Sequence, residues 1–300
     1  MTKYASATAV ESAIKAAAKN AYKVDPSVSV QERIRRAHFD RFLSRVFSEG
    51  EASEWVLKGG TGILARVPTG RSTQDVDLYR QGHSLDDSIT ELVRLASIDL
   101  GDHFRFTLKS QRQTLADENQ PYAEGSRVEF DTFLGVKQLN PLRVDLVSGA
   151  GVTAPVKSDR PTGALRFDGL QTNPYRLYPV VDQMADKIAA TVSTYSGKPS
   201  SRVKDLVDLV ILTVTQRFDA ASLRVAVTTE FARRRLPLIT TFTPPPEWSK
   251  KYEALARNIP ECAEHRTFAT AEALIASVVA FALDLENSHR QWSPSLRSWE

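Results

Sequence analysis

Lys58-Gly59-Gly60-Thr61, followed shortly by Arg71-Ser72-Thr73-Gln74-Asp75-Val76-Asp77-Leu78, is the stretch that decides the fold. In an extended strand, residues two apart share a face. Asp75 and Asp77 therefore project together, while Val76 and Leu78 turn toward a core. Two neighbouring carboxylates repel, and a shared cation relieves that repulsion. Oxygen-only ligation suits Mg²⁺ held jointly by protein and a phosphate ligand. The glycines open an apolar, helix-like run (Ile63, Leu64, Ala65), and backbone N–H groups at a helix start can receive a triphosphate. The bland alternative is a D-x-D pair on a solvated strand face; the Gly-Gly upstream weighs against it.

Outward from this segment, a short strand is expected at 55–57, a helix over 59–66 and the acidic strand over 75–79. The first fifty residues read as helical, with Ser29 and Glu32 forming a capping box for a helix reaching about Ser48. Leu85, Ile89, Leu92, Val93 and Ala96 give the 84–100 segment a helical period. Alternating runs over 103–108, 127–133 and 142–147 read as strands, with a polar loop over 111–125. Prolines and glycines between 149 and 178 mark a domain boundary. Beyond it the pattern is almost wholly helical, over 180–195, 202–218, 221–234, 248–258 and 270–285. The expected architecture is α/β (α+β) and bilobed: a core with a mixed β-sheet over residues 1–160 and a C-terminal helical lobe over 161–300.

Further groups qualify for chemistry. Asp145, in Leu142-Arg143-Val144-Asp145-Leu146-Val147, can join Asp75 and Asp77 as a third metal ligand, or cap the turn at Ser148-Gly149. Lys187 stands at the margin of the stripe Val180, Met184, Ile188 and Val192. From there it can reach phosphates as a point charge or merely snorkel; Asp182 and Asp186 fall on the opposite, wet side. Asp205 and Asp208 are helix neighbours hemmed in by leucines, where a carboxylate needs a partner. One of them is then a base or a polar contact for nucleotide or acceptor, or both are salt-bridged internally to Arg202 or Lys187. Basic clusters (Arg33, Arg35, Arg36, Arg41 and Arg45; Arg233-Arg234-Arg235 with Lys250 and Lys251) can track a phosphate backbone or form solvated helix faces.

Composition bounds the class. A 42% hydrophobic, 25% charged chain of 300 residues has material for one large or two modest globular domains. A net charge of +3 is too small to decide partners. The single Cys262 rules out an intramolecular disulfide and a cysteine-based zinc site. The Ala-rich N-terminus, broken by Lys15 and Lys19, reads as an amphipathic helix and not a signal peptide. No stretch reaches the roughly 20 apolar residues a membrane span needs. The expected location is cytoplasmic, with no membrane partner.

Gly-Gly-Thr followed by Arg-Ser-x-x-Asp-x-Asp-Leu resembles the first motif of DNA polymerase-β-type nucleotidyltransferases. More narrowly the chain resembles the AbiEii/AbiGii toxin branch, MenT-like members included. Lys58 before the glycines, the V-D-L around Asp145, the A-D-K around Lys187 and the R-x-K-D-L-x-D around Asp205 and Asp208 all match, spanning about 55–210. The resemblance implies Mg²⁺-dependent (or Mn²⁺-dependent) transfer of a nucleoside monophosphate from an NTP, with pyrophosphate released. For MenT-like members the acceptor is the 3′ end of tRNA, so aminoacylation and translation stop. It implies a cognate antitoxin. Asp75, Asp77 and Asp145 then hold the metal; Lys58, Gly59, Gly60, Thr61, Arg71 and Ser72 line the nucleotide; and Lys187 neutralises the pyrophosphate, with structural pairing the competitor for Arg71. Asp145, Asp205 or Asp208 serves as base or orienting group. Some relatives are silenced by phosphorylation near the catalytic aspartate, which here points to Thr73 or Ser72. The rival readings are transfer to a protein hydroxyl or small molecule, and a non-catalytic nucleotide- or RNA-binding module of the same fold.

Overall fold

Two capped helices open the chain. In α1 (Ala7–Val24) and α2 (Val30–Val46), the Ser6 and Ser29 hydroxyls accept from backbone N–H groups three residues on. The expected capping box is half formed: the Glu32 carboxylate accepts from Arg35 and Arg36 beside it. Then come β1 (Trp55–Leu57), α3 (Gly59–Arg66), β2 (Asp75–Arg80), α4 (Leu85–Ala96), β3 (Phe104–Thr114), β4 (Glu124–Leu134), β5 (Lys137–Gln138), β6 (Leu142–Ser148), β7 (Lys157–Asp159) and β8 (Tyr175–Leu177). The structure, a computed structural model, describes residues 4–114, 124–148 and 151–300. Of the loop expected over 111–125, residues 111–114 and 124–125 belong to strands β3 and β4, whose pairing carries the hairpin further than the polar composition suggested. Residues 115–123 lie outside the described set.

The large sheet runs β3-β4-β6-β2-β1-β8-β7, with β5 on the edge of β4. The pairs β2/β6 and β1/β8 are parallel and the other pairs antiparallel. Alternation gives the sheet two different faces. Val76, Leu78, Val128, Phe130, Val144 and Leu146 bury one face with Phe42, Leu43 and Leu92 of α2 and α4. Each such side chain contributes roughly 1.5–3 kcal/mol on leaving water. The other face carries Asp75, Asp77, Arg127, Arg143 and Asp145. Segment 161–178 supplies β8, so the sheet draws on chain beyond residue 160.

The remaining chain packs a second core from α5 (Val180–Val192), α6 (Val203–Thr215), α7 (Ala220–Arg233), α8 (Ser249–Ala256) and α9 (Phe268–Leu283), which Ile63 of α3 and Val67 just after it also enter. It is less wholly helical than expected. Residues 193–195 leave α5 for a β9 (Thr194–Tyr195)/β10 (Lys198–Pro199) hairpin, turned at Ser196 and Gly197, both with positive φ. Phe218 is drawn from the expected helix into β11 (Phe218–Asp219), which pairs with β12 (Gln291–Ser293) and through it β13 (Ser298–Trp299). Its ring stacks on Trp292. Helix α6 is buried all round, as its leucines on both sides require.

Several arginines of the basic clusters are engaged inside the fold and cannot track a phosphate backbone, whereas Arg235, Lys250 and Lys251 stay exposed. Arg41 and Arg45 are fully buried; Arg45 closes hydrogen bonds of 3.0 and 2.6 Å on Asp102, and Arg41 pairs with Asp40. Arg33 and Arg36 donate to the carbonyls of Val28 and Pro68. In the later cluster Arg234 is buried against Glu230, and Arg233 donates to the Gly151 carbonyl at 2.8 Å. Placing charge inside costs several kcal/mol per ion unless it is paired, which explains why each buried arginine meets a carboxylate. Asp182 is also not wet: it is buried and accepts from the backbone N–H groups of Thr153 and Ala154 at 2.9 and 3.2 Å.

Candidate active site

The parallel register of β2 and β6 sets Asp77 directly opposite Asp145 and Asp75 opposite Arg143. Antiparallel β4 then sets Arg127 opposite Asp145. Arg127 grips Asp145 with both arms of its guanidinium, Nε to Oδ1 and Nη2 to Oδ2, each at 2.7 Å. That hydrogen bonding raises the Arg127 pKa. The same guanidinium lies 3.9 Å from Asp75. Asp75 keeps one buried carboxylate oxygen, Oδ1, with no hydrogen-bond partner. Asp77 is pushed up to about 6, first by burial and next by the Asp145 charge.

Helix α3 starts on top of these carboxylates. The Lys58 N–H donates to the Asp77 carbonyl at 2.9 Å, and the Thr61 hydroxyl to the Asp75 carbonyl at 2.8 Å. Gly59 has φ +56°, and a Cβ there would stand 1.9 Å from Asp77 Oδ2. Only glycine lets the backbone take that turn so close to the carboxylate. Gln183 of α5 donates to the Gly59 carbonyl at 2.7 Å, so the helical lobe holds the turn from behind. The first N–H groups of α3 have no intrahelical acceptor and sit beside paired acids, where a phosphate bridged by a cation fits. Thr73 packs on Gly60, its Cβ and Oγ1 each 3.1 Å from where a Gly60 Cβ would stand. Exposed Ser72 instead hydrogen-bonds Arg35 of α2 at 2.5 Å.

The expected cations surround the carboxylates but are already engaged. Lys58 pairs with Asp186 at 3.0 Å and lies 4.2 Å from the ring centre of Tyr178. Burial opposes its charge, yet Asp186 prevails and raises its pKa. Asp186, expected in water, is thereby part of an inter-element pair. Lys187 is buried and donates to Asp205 at 2.9 Å and Asp208 at 2.6 Å. Arg202 completes Asp205 at 2.6 Å, and Arg71 grips Asp208 bidentately at 2.7 and 2.7 Å. Burial disfavours the Asp205 carboxylate, but Lys187 and Arg202 outweigh it and hold the carboxyl at about 2. So acidic a group makes a poor proton acceptor. The internal salt bridges weighed from sequence are the contacts both carboxylates make.

A model of the nucleotidyltransferase AbiEii toxin of type IV toxin–antitoxin systems matches residues 41–274. The chain belongs to the AbiEii nucleotidyltransferase toxin family. A crystal structure of JHP933 from Helicobacter pylori is similar at 14% identity, TM-score 0.44, over 85% of this chain and 94% of that one. A second H. pylori structure, described as a nucleotidyltransferase, is similar at 14% identity and TM-score 0.44, over 85% of this chain and 97% of that one. A search of curated proteins returns no match.

The nucleotidyltransferase fold implies a divalent metal at the strand aspartates, and the residues of this AbiEii-family chain fit one. The orphaned Asp75 oxygen, the raised Asp77 pKa and the all-oxygen donor set each ask for a cation. Yet among the described residues no three His, Cys, Asp or Glu side chains are gathered closely enough to hold a metal ion. Asp145 is turned onto Arg127 instead. Arg127 is the residue that sequence reasoning missed. Its signal was the alternation Arg127-Val128-Glu129-Phe130, but its meeting with Asp145 depends on strand order, which the local pattern does not contain.

Proposed function

We propose that this AbiEii-family toxin transfers a nucleoside monophosphate from an NTP to the 3′ end of tRNA in the cytoplasm, releasing pyrophosphate and stopping aminoacylation. The observation that carries the reading is the placement of Asp75 and Asp77 under the glycine start of α3, with Asp145 in register beside Asp77. Asp75 and Asp77, with Asp145 completing the set, would hold Mg²⁺ or Mn²⁺. Bound there, such an ion neutralises triphosphate oxygens and stabilises charge at the attacked phosphorus.

The chain's own groups do the rest. Backbone amides of Gly59, Gly60 and Thr61 receive the phosphates at the helix start. Lys187 and Lys58, both of which draw the Asp77 pKa down, lend positive potential beside the departing pyrophosphate from their paired positions. Arg71, with its Nη2 3.5 Å from where a Gly60 Cβ would stand, reaches the same helix start, while Ser72 is held on Arg35. Asp145 either completes the metal set or takes the proton of the acceptor hydroxyl. Asp208 holds Arg71 and Lys187 in place, and Asp205 holds Lys187.

The test incubates the protein with each α-labelled NTP, Mg²⁺ and either total RNA or total protein. Label on tRNA from wild type and none from Asp75→Ala is expected, with growth arrest relieved by the same substitution. Label on protein or on a small molecule would replace the acceptor, and full transfer by Asp75→Ala would sink the assignment. A cognate antitoxin is the expected partner. A phosphate on Thr73 would crowd Gly60 and repel a triphosphate, whereas one on Ser72 would meet Arg35. Mass mapping of toxin co-produced with its antitoxin separates these sites; neither being modified would remove this mode of silencing.

A further inference from the structure

We infer that Arg127 is an internal cation that competes with the divalent metal for Asp145, so that the three-carboxylate site assembles only when this arginine lets go. The inference rests on the metal site in the proposed function and adds a regulatory element to it. Three observations meet here. Asp77 and Asp145 are cross-strand neighbours in parallel register, so their side chains leave the same face side by side. A ligand set of Asp75, Asp77 and Asp145 is therefore within reach of small side-chain rotations. That set is nevertheless not gathered among the described residues. Both Asp145 oxygens are taken by the two-pronged grip of Arg127, the most direct geometry for blocking a carboxylate against a metal.

Arg127 is also suited to leaving. It is half exposed, with a side-chain accessibility of 47%, unlike buried Lys187 at 8%. A solvent-exposed ion pair is easier to open than a buried one, so a metal entering with a triphosphate can displace it. The 3.9 Å approach to Asp75 shows that the same guanidinium already leans over the other side of the cluster. Without metal, Arg127 limits the mutual repulsion of the carboxylates; with metal, it is released into solvent on its exposed side. Arg143 makes a close control, since it is paired in register with Asp75 and its nearest acid is Glu129 at 3.5 Å, not Asp145.

The experiment titrates Mn²⁺ into the nucleotide-free full chain and reads free Mn²⁺ by its electron paramagnetic resonance signal. Arg127→Gln is expected to tighten Mn²⁺ binding about tenfold, through loss of a competing cation. Arg143→Gln, which removes equal charge nearby, should change it by less than about threefold. Arg127→Lys keeps the charge without the planar fork and should fall between wild type and Arg127→Gln; it also stands in should Arg127→Gln fail to fold. In an Asp145→Asn background the Arg127 effect should vanish. Unchanged or weaker binding by both Arg127 variants would overturn the competition, as would an Arg143→Gln effect equal to that of Arg127→Gln. If wild type and all variants bind no Mn²⁺, the metal reading itself falls. Binding by wild type with indifferent Arg127 variants removes only the competition.

Discussion

Arg71, in the loop ahead of β2, closes two 2.7 Å hydrogen bonds on Asp208 of α6, and so ties the carboxylate strand to the core of the helical lobe. Asp208 passes the link to Lys187 at 2.6 Å, and Lys187 passes it to Asp205 at 2.9 Å. Arg71, Asp208, Lys187 and Asp205 thus form one ionic chain, whose members neutralise each other. Their value to a nucleotide is the potential and rigidity they confer beside Asp77, more than a free charge waiting for phosphate.

Because the Arg71 grip depends on a planar fork, lysine cannot reproduce it. Arg71→Lys should lower stability by about 1–3 kcal/mol, the range for losing a hydrogen bond to a buried charge. Urea denaturation of the metal-free protein measures it. A midpoint equal to wild type would mean that Arg71 does not hold the lobes together.

Lys187→Ala leaves Asp205 and Asp208 buried around a missing cation, and losing one partner of such a cluster costs about 3–5 kcal/mol. The pH dependence carries a sign. Asp205 is held at about 2 against an ordinary 3.8, so its pairing stabilises the fold above pH 3.8 and that contribution fades as pH falls toward 2. The wild-type advantage over Lys187→Ala should therefore be largest above pH 4 and narrow in more acidic buffer. Denaturation midpoints at neutral and acid pH check this, and a gap independent of pH would contradict the assignment.

What was legible in the sequence follows from the range of each signal. Period-two alternation put Asp75 and Asp77 on one face of their strand and left Asp145 open between joining them and capping a turn, and the glycines before Ile63 marked the helix start. The enclosure of Asp205 and Asp208 by leucines announced that both needed partners. Which partners they take is a matter of tertiary distance, and Lys187 and Asp208 meet only because α5 packs on α6. Arg127 was illegible for the same reason. Arg41 and Arg45 were misjudged because α2 changes from a half-wet helix to one buried all round after His38, a change set by α1, α4 and Asp102 rather than by its own period. A strand as short as β11, two residues long, carries too few residues to show a period.

Gly59→Ala tests the contact between the helix start and the carboxylate. A left-handed φ of +56° costs a non-glycine residue about 1–2 kcal/mol. The added methyl would also overlap Asp77 Oδ2, forcing that side chain aside. A modest drop in melting temperature should accompany a loss of nucleotide transfer of more than about tenfold, since misplacing a reacting constellation by an ångström costs rate steeply. Gly60→Ala is the milder neighbour, because its Cβ would approach only side-chain atoms of Thr73, at 3.1 Å, and Arg71, at 3.5 Å. Equal transfer by Gly59→Ala and wild type would remove Gly59 from the site.

Asp77 provides the opposite pH signature to Asp205. Its carboxyl is raised from 3.8 to about 6, through burial and then the neighbouring Asp145 charge. Between those values the folded protein binds more protons than the unfolded chain, so stability falls as pH rises through the window. Above it the ionised side chain stays a strain on the fold, of roughly 1–3 kcal/mol after allowance for solvent screening. Asp77→Asn removes the charge at little change in size. In chelator-treated protein it should therefore raise the melting temperature at pH 7 while abolishing transfer, with the stabilisation shrinking to nothing near pH 4. Divalent metal should close the pH 7 gap from the other side, by stabilising wild type and leaving Asp77→Asn nearly unmoved. A variant less stable than wild type at pH 7 without metal would show that Asp77 is held by contacts worth more than the repulsion it suffers.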